Sequence, residues 1–173
     1  MDELASRLGV TRPALYHYAP GKQALFKQCA EAAEAMLDRA IIEALKETDG
    51  KARVGAFFSA YCDIGDRDFG RCFALTDLRE LDDEMRDSLR RARMRLVRAV
   101  ARMVEGGIED ASIRACDPAL TSALLFSAFN AVALQLEPNE ERAALVETIL
   151  GVFFAGLEPR PNDVIETMRP TPA

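Results

Sequence analysis

Between Pro20 and Pro118 the chain contains no proline, and that interval constrains the fold more than any other single feature. Proline breaks helix interiors, so a long proline-free stretch leaves helix open to whatever residues favour it. The residues present do favour it. Among the 173 residues are 28 alanines and 19 leucines, against 9 valines, 7 isoleucines and 7 threonines. That balance predicts an all-α fold. With 49% hydrophobic residues, the chain has enough apolar surface to build one sizeable core, or a small head attached to a larger body.

Apolar spacing divides the chain into helices. Leu4, Ala5 and Leu8 share a face of a short first helix, and Gly9 can supply the positive φ of a tight turn. Thr11 is a suitable N-cap for a second helix with Pro13 in its first turn, and Pro20 ends it. From Lys22 to Glu47 the apolar positions keep helical spacing, predicting a helix about 39 Å long that stops at Asp49-Gly50. Val54, Phe57, Phe58, Tyr61 and Ile64 mark the next helix, residues 65–70 a break, and Cys72, Leu75 and Leu78 a shorter helix. Met85, Leu89, Ala92, Leu96, Ala99, Val100 and Met103 trace a long stripe that Gly106-Gly107 should end. Asp117-Pro118 and Pro138-Asn139 open two more helices, the last reaching about Leu157. The remaining tail holds four of the eight prolines and is expected to fray.

Several function classes are disfavoured at this point. The net charge of −6 argues against a chain that coats nucleic acid over its whole surface, but the charge is unevenly distributed. Residues 1–28 carry +2 and the rest −8, as expected of a small basic head on an acidic body. Cys29, Cys62, Cys72 and Cys116 are scattered, without a CxxC pair or a nearby histidine, so neither a metal site nor a cofactor is expected. The start lacks the basic and apolar regions of a signal peptide, and the uncharged stretch 119–136 is rich in alanine and polar residues rather than leucine. Both point to a cytoplasmic protein. One histidine, no GxSxG, no HExxH and no glycine-rich phosphate loop leave little for catalysis, and an enzyme is not expected.

The segment Leu4-Ala5-Ser6-Arg7-Leu8-Gly9-Val10-Thr11-Arg12-Pro13-Ala14-Leu15-Tyr16-His17-Tyr18, followed by Pro20-Gly21-Lys22 and a long helix, resembles the helix-turn-helix signature of the TetR family of bacterial transcriptional regulators. The resemblance implies a DNA-binding head over residues 1–27, a long connecting helix, a helical ligand-binding and dimerisation body over 28–157, and a flexible tail over 158–173. It implies DNA contacts from Tyr16, His17 and Lys22 to the phosphate backbone, with Leu15 and Tyr18 facing inward. Thr11 can cap the recognition helix and touch a phosphate with the same hydroxyl. Arg12 is suited either to a guanine edge or to a phosphate, and Pro13 and Ala14 to a thymine methyl. In the family another helix precedes this motif and packs across it, whereas the present sequence opens within what matches the second helix. Apolar head side chains left uncovered would forgo about 1.5 to 3 kcal/mol each. The family also usually has an aromatic where Ala19 stands and a polar cap where Gly21 stands, so the head is expected to be loosely anchored.

For the body, the resemblance implies a small, mostly apolar effector among Phe57, Tyr61, Phe73, Leu96, Val100, Met103 and Phe129, with Tyr61 as the polar handle. Helices 119–136 and 140–157 are too apolar to face water and predict a homodimer. The seven arginines from Arg86 to Arg102 read as a solvated or interface face, since Asp82, Asp83 and Asp87 stand at ion-pairing distance along the helix. The expected function is a regulator, most simply a repressor released from operator DNA by its effector. The alternative is a ligand-binding or scaffold dimer whose head no longer binds DNA.

Overall fold

The computed structural model describes residues 2–7, 9–66, 81–135 and 141–157. Among them are seven helices and no strand: α1 Asp2–Arg7, α2 Arg12–Tyr18, α3 Lys22–Ala44, α4 Gly50–Asp66, α5 Asp83–Glu109, α6 Pro118–Gln135 and α7 Glu141–Leu157. The expected short helix near Cys72, Leu75 and Leu78 and the tail from Glu158 lie outside the described residues.

The head is α1, a turn and α2. Gly9 takes a φ of 64°, the left-handed conformation that glycine adopts without strain, and so reverses the chain between the two helices. Thr11 has extended backbone angles and its Oγ1 accepts from the Ala14 N–H at 3.3 Å, while proline occupies the first turn of α2. This is the cap read from sequence. α3 then runs for 23 residues, about 35 Å, and connects head to body.

In the body, α4 lies between α3 and α5, and α6 packs on α5 with α7 against α4 and α6. Val54, Phe57 and Phe58 of α4, Val100 and Val104 of α5, and Leu125 of α6 are each 0% exposed. The aromatic centre is dense: Phe58 stacks on Phe129 with centroids 4.4 Å apart and meets Phe57 and Phe126 edge-on at 5.2 Å. Offset and edge-on pairs of this kind add to what area burial supplies.

Two glycines behave differently from expectation. Gly50 opens α4 instead of ending α3, which stops earlier, at Ala44, and α5 passes through Gly106-Gly107 to Glu109. The reason is a close helix crossing: a Cβ on Gly50 would collide with the backbone of Gly107, and one on Gly107 would meet Ile113 Cδ1 at 2.6 Å. The backbones approach here because Gly50 has no side chain, while Gly107 leaves room for Ile113. The crossing also closes the start of α4. Asp110 Oδ2 accepts from the Gly50 N–H at 2.8 Å, Ser112 Oγ from the Lys51 N–H at 3.1 Å, and Asp49 Oδ1 from the Ala52 N–H at 2.8 Å. Donors that a helix start leaves unpaired thus find side chains, two of them from just beyond the far end of α5.

The arginine-rich helix α5 is amphipathic, with Leu89, Ala92, Leu96, Val100 and Met103 inward. Arg86 pairs with Asp83 at 2.9 Å and Arg90 approaches Asp87 at 3.8 Å, while Arg95 reaches across to Glu34 of α3 at 2.7 Å. Asp82 serves as the N-cap of the helix, accepting from the Met85 N–H at 2.8 Å. Among the described residues no helix is long and apolar enough to cross a membrane, and no group of three His, Cys, Asp or Glu side chains is arranged to hold a metal ion.

Candidate nucleic-acid interface

The head presents its polar side chains on one surface because α2 buries so little of itself. Leu15 is 5% exposed and Ala19, just beyond the last turn, is 0% exposed. Helical geometry directs Pro13 and His17 away from that side and puts Arg12 and Tyr16, a turn apart, along its edge; all four are exposed, as is the Thr11 cap. Ala14 is half-buried at the flank. The Lys22 side chain lies outside the described residues.

Tyr18 departs from the expectation that it faces inward. It is 75% exposed, and its ring stands edge-on to His17 with centroids 5.8 Å apart. Ala19 takes the fully buried place next to it, so Tyr18 is left on the flank. Its contribution to the head is through the backbone: the Tyr18 carbonyl accepts from Gln28 Nε2 at 3.0 Å, which ties the end of α2 to α3.

Arg12 is held by two neighbours. Its Nη1 lies 3.1 Å from Asp2 Oδ1 of α1, and its guanidinium sits over the Tyr16 ring, 5.5 Å from the centroid. The hydrogen bond to Tyr16 and then the charge of Asp2 raise its pKa above the ordinary arginine value. The Tyr16 partner is legible at i,i+4 spacing. The Asp2 partner has no such signal, because it lies on the other helix and only the Gly9 turn brings it near.

The residues expected to line an effector cavity converge in the body. Phe57, Val100, Met103 and Phe129 are buried to 2% exposure or less and Leu96 to 6%, all in one continuous core, while Phe73 lies outside the described residues. Tyr61 is partly buried, and its hydroxyl donates to Asn130 Oδ1 at 2.7 Å. Burial, and secondarily the neighbouring Cys62, pushes its pKa up to about 12. Sequence reasoning misses Asn130 as the partner of Tyr61, because the two lie on different helices and no spacing links them. A separate open groove of about 230 Å³ lies between the first half of α3 and the start of α5, lined by Lys27, Glu31, Glu34, Asp82, Met85 and Arg91 among others.

Residues 1–29 match the family model described as bacterial regulatory proteins of the tetR family, and residues 47–134 match that of the tetracyclin repressor-like C-terminal domain. A search of curated proteins returns no match. Among solved structures, the TetR family transcriptional regulator PfmR from Thermus thermophilus is similar at 23% identity, covering 91% of this chain and 88% of its own, with a TM-score of 0.79. A regulator of the TetR/AcrR family from Thermobifida fusca is 21% identical over 91% of this chain and 86% of its own, with a TM-score of 0.70. AibR, solved with isovaleryl coenzyme A and operator DNA, is 15% identical over 88% of this chain and 85% of its own, with a TM-score of 0.74. At these identities the likeness is one of fold, and membership rests on the two family models, the second of which alone spans half of the sequence. With a capped recognition helix, a connecting α3 and a matched C-terminal domain, the chain belongs to the TetR family of bacterial regulatory proteins.

Proposed function

We propose that the protein is a homodimeric, cytoplasmic repressor whose head, residues 1–27, binds operator DNA and whose body, residues 28–157, binds a small, mostly apolar effector that releases it. The observation that carries the reading is the Thr11-capped α2, which leaves Arg12, Pro13, Tyr16 and His17 exposed while Leu15 is buried. A recognition helix presents its first turn to base edges while neighbouring donors grip phosphates. Thr11, Tyr16, His17 and Lys22 are assigned to the phosphates, and Pro13 and Ala14 to apolar contact with a thymine methyl.

The dimer is supported by what α6 and α7 leave uncovered. Leu120 is 58% exposed, Leu124 51% and Val152 69%, with exposed Ala123, Gly151 and Ala155 between them. Apolar side chains interspersed with small residues suit close helix packing against a second copy. In the body, the Tyr61–Asn130 pair supplies a polar anchor beside Phe57, Phe126 and Phe129. AibR shares the fold and is known with an acyl-coenzyme A bound, which supports effector binding in a body of this type. Effector binding would favour a body conformation that shifts α3 and so sets the two heads at the wrong spacing for successive major-groove half-sites.

The test is selection of a site from a randomised duplex library by the full chain, followed by anisotropy titrations of two variants at several salt concentrations. Arg12→Ala is expected to cost roughly 1 to 3 kcal/mol and relax specificity, and Lys22→Ala to weaken all duplexes alike while reducing the salt slope by about one. Selection of no site by a chain that sediments as a folded dimer would instead favour the scaffold reading.

A further inference from the structure

Asp2 gives Arg12 a preference between two destinations that the arginine alone does not have. A guanidinium can serve a phosphate or a guanine edge equally well, since it offers five N–H donors in a planar fork. Here one arm is already committed: Asp2 Oδ1 lies 3.1 Å from Nη1, and Cζ lies over the Tyr16 ring, 5.5 Å from its centroid. The pair is accessible, with the Arg12 side chain 60% and the Asp2 side chain 71% exposed. Drawing Arg12 onto a phosphate would bring the Asp2 carboxylate within a guanidinium's width of a second negative charge. A guanine edge carries no net charge and presents O6 and N7 to the remaining donors of the guanidinium, while the other carboxylate oxygen can accept from the exocyclic amine of a neighbouring cytosine or adenine.

Building on the DNA-binding reading above, we propose that Asp2 is a specificity-determining residue: it holds Arg12 off the phosphate backbone and directs it to a guanine. Asp2 and Arg12 then act as one reading unit contributed by both helices of the head. Asp2 thereby has a role distinct from that of an acidic residue in the first turn of a helix, which interacts favourably with the helix dipole whatever the neighbouring DNA.

The experiment uses the full chain, a randomised duplex library, and the variants Asp2→Asn, Asp2→Ala, Arg12→Ala and the Asp2→Ala/Arg12→Ala double variant. The wild type is expected to select a site with a guanine at one fixed position in each half, and replacing that guanine should weaken binding about tenfold or more. In Asp2→Asn, which keeps an acceptor and loses the charge, discrimination at that position should fall below about threefold. Affinity for unselected duplex should rise, and the salt dependence should steepen by about one phosphate contact per head. In the Arg12→Ala background, Asp2→Ala should change nothing further at that position. Thermal melting is recorded for every variant. If both Asp2 variants bind with wild-type discrimination and salt slope, or lose only thermal stability, the inference is overturned while the DNA-binding reading stands. If the folded wild type selects no site, both are overturned.

Discussion

Among the described head residues, Ala5, Leu15 and Ala19 are the buried apolar side chains, whereas the body encloses Phe57, Phe58, Phe129, Leu89, Met103 and Leu125 at 2% exposure or less. The head is held by local devices: the Gly9 turn, the Thr11 cap, and the hydrogen bond from Gln28 to the Tyr18 carbonyl. The body is held by side chains from distant parts of the sequence, as where Phe58 of α4 stacks on Phe129 of α6. Burial of large apolar groups contributes most to stability, and caps contribute about a kilocalorie each. The link from α2 to α3 is the Gln28 hydrogen bond. So small a core leaves nearly every other side chain of α2 exposed and available to a ligand.

The largest expected effect breaks the body. Phe58→Ala removes the ring that meets Phe57, Phe126 and Phe129 and is expected to cost about 3 to 5 kcal/mol, read from the urea midpoint at unchanged m-value. A loss no larger than that of an ordinary surface substitution would mean that the aromatic centre is not the main support of the body. Second comes Gly50→Ala, whose new Cβ collides with the Gly107 backbone. Separating α4 from α5 there is expected to cost about 1 to 3 kcal/mol, and Ala at a nearby exposed position such as Ser59 serves as the control for helix propensity.

Local and distant organisation are unequally legible. Thr11, Pro13 and Gly9 lie within a few residues of the backbone groups they serve, so the start of α2 and the turn before it can be read directly. The stripe from Leu89 to Met103 predicts the inward face of α5 for the same reason, because helical spacing is itself a local property. Gly50 and Gly107 mislead because glycine has two uses, stopping a helix and admitting a close neighbour, which look alike in one dimension. Tyr18 misleads because the choice between it and Ala19 for the inward position depends on how α2 sits against its surroundings. Asp2 beside Arg12, Asn130 beside Tyr61 and Asp110 over the start of α4 all cross between helices, and no spacing rule reaches that far. Within the candidate interface the Arg12–Tyr16 pair is therefore legible from spacing, and the Arg12–Asp2 pair only in the fold.

The head is tested by a smaller change. Thr11→Ala removes the hydroxyl that accepts from the Ala14 N–H at 3.3 Å and is expected to cost about 1 kcal/mol. Because the head is supported locally, the cost should appear there first: amide exchange in α1 and α2 should accelerate by about fivefold, with the amides of α4 and α5 unmoved. Equal acceleration in both regions would show that head and body open as one unit and would remove the contrast drawn above.

The smallest effect concerns Asp110, which joins the end of α5 to the start of α4. Its pKa is lowered from the ordinary aspartate value, first by the Ser112 hydroxyl, then by the N–H groups of Ser112 and Gly50. All three favour the ionised carboxylate, which accepts from the Ser112 N–H at 2.9 Å and the Gly50 N–H at 2.8 Å. Since the folded-state pKa lies below the unfolded one, the unfolded chain binds the proton first as pH falls. The contribution is therefore complete above the ordinary aspartate value and declines on acidification until the folded-state pKa is passed. Asp110→Asn keeps the shape and one acceptor oxygen but lacks this titration. Its melting temperature should sit below that of the wild type at neutral pH, and the gap should close through the acidic range. A gap that stays constant with pH would mean that the variant loses stability through the acceptor oxygen replaced by the amide, and that the charge at this crossing does nothing for the body.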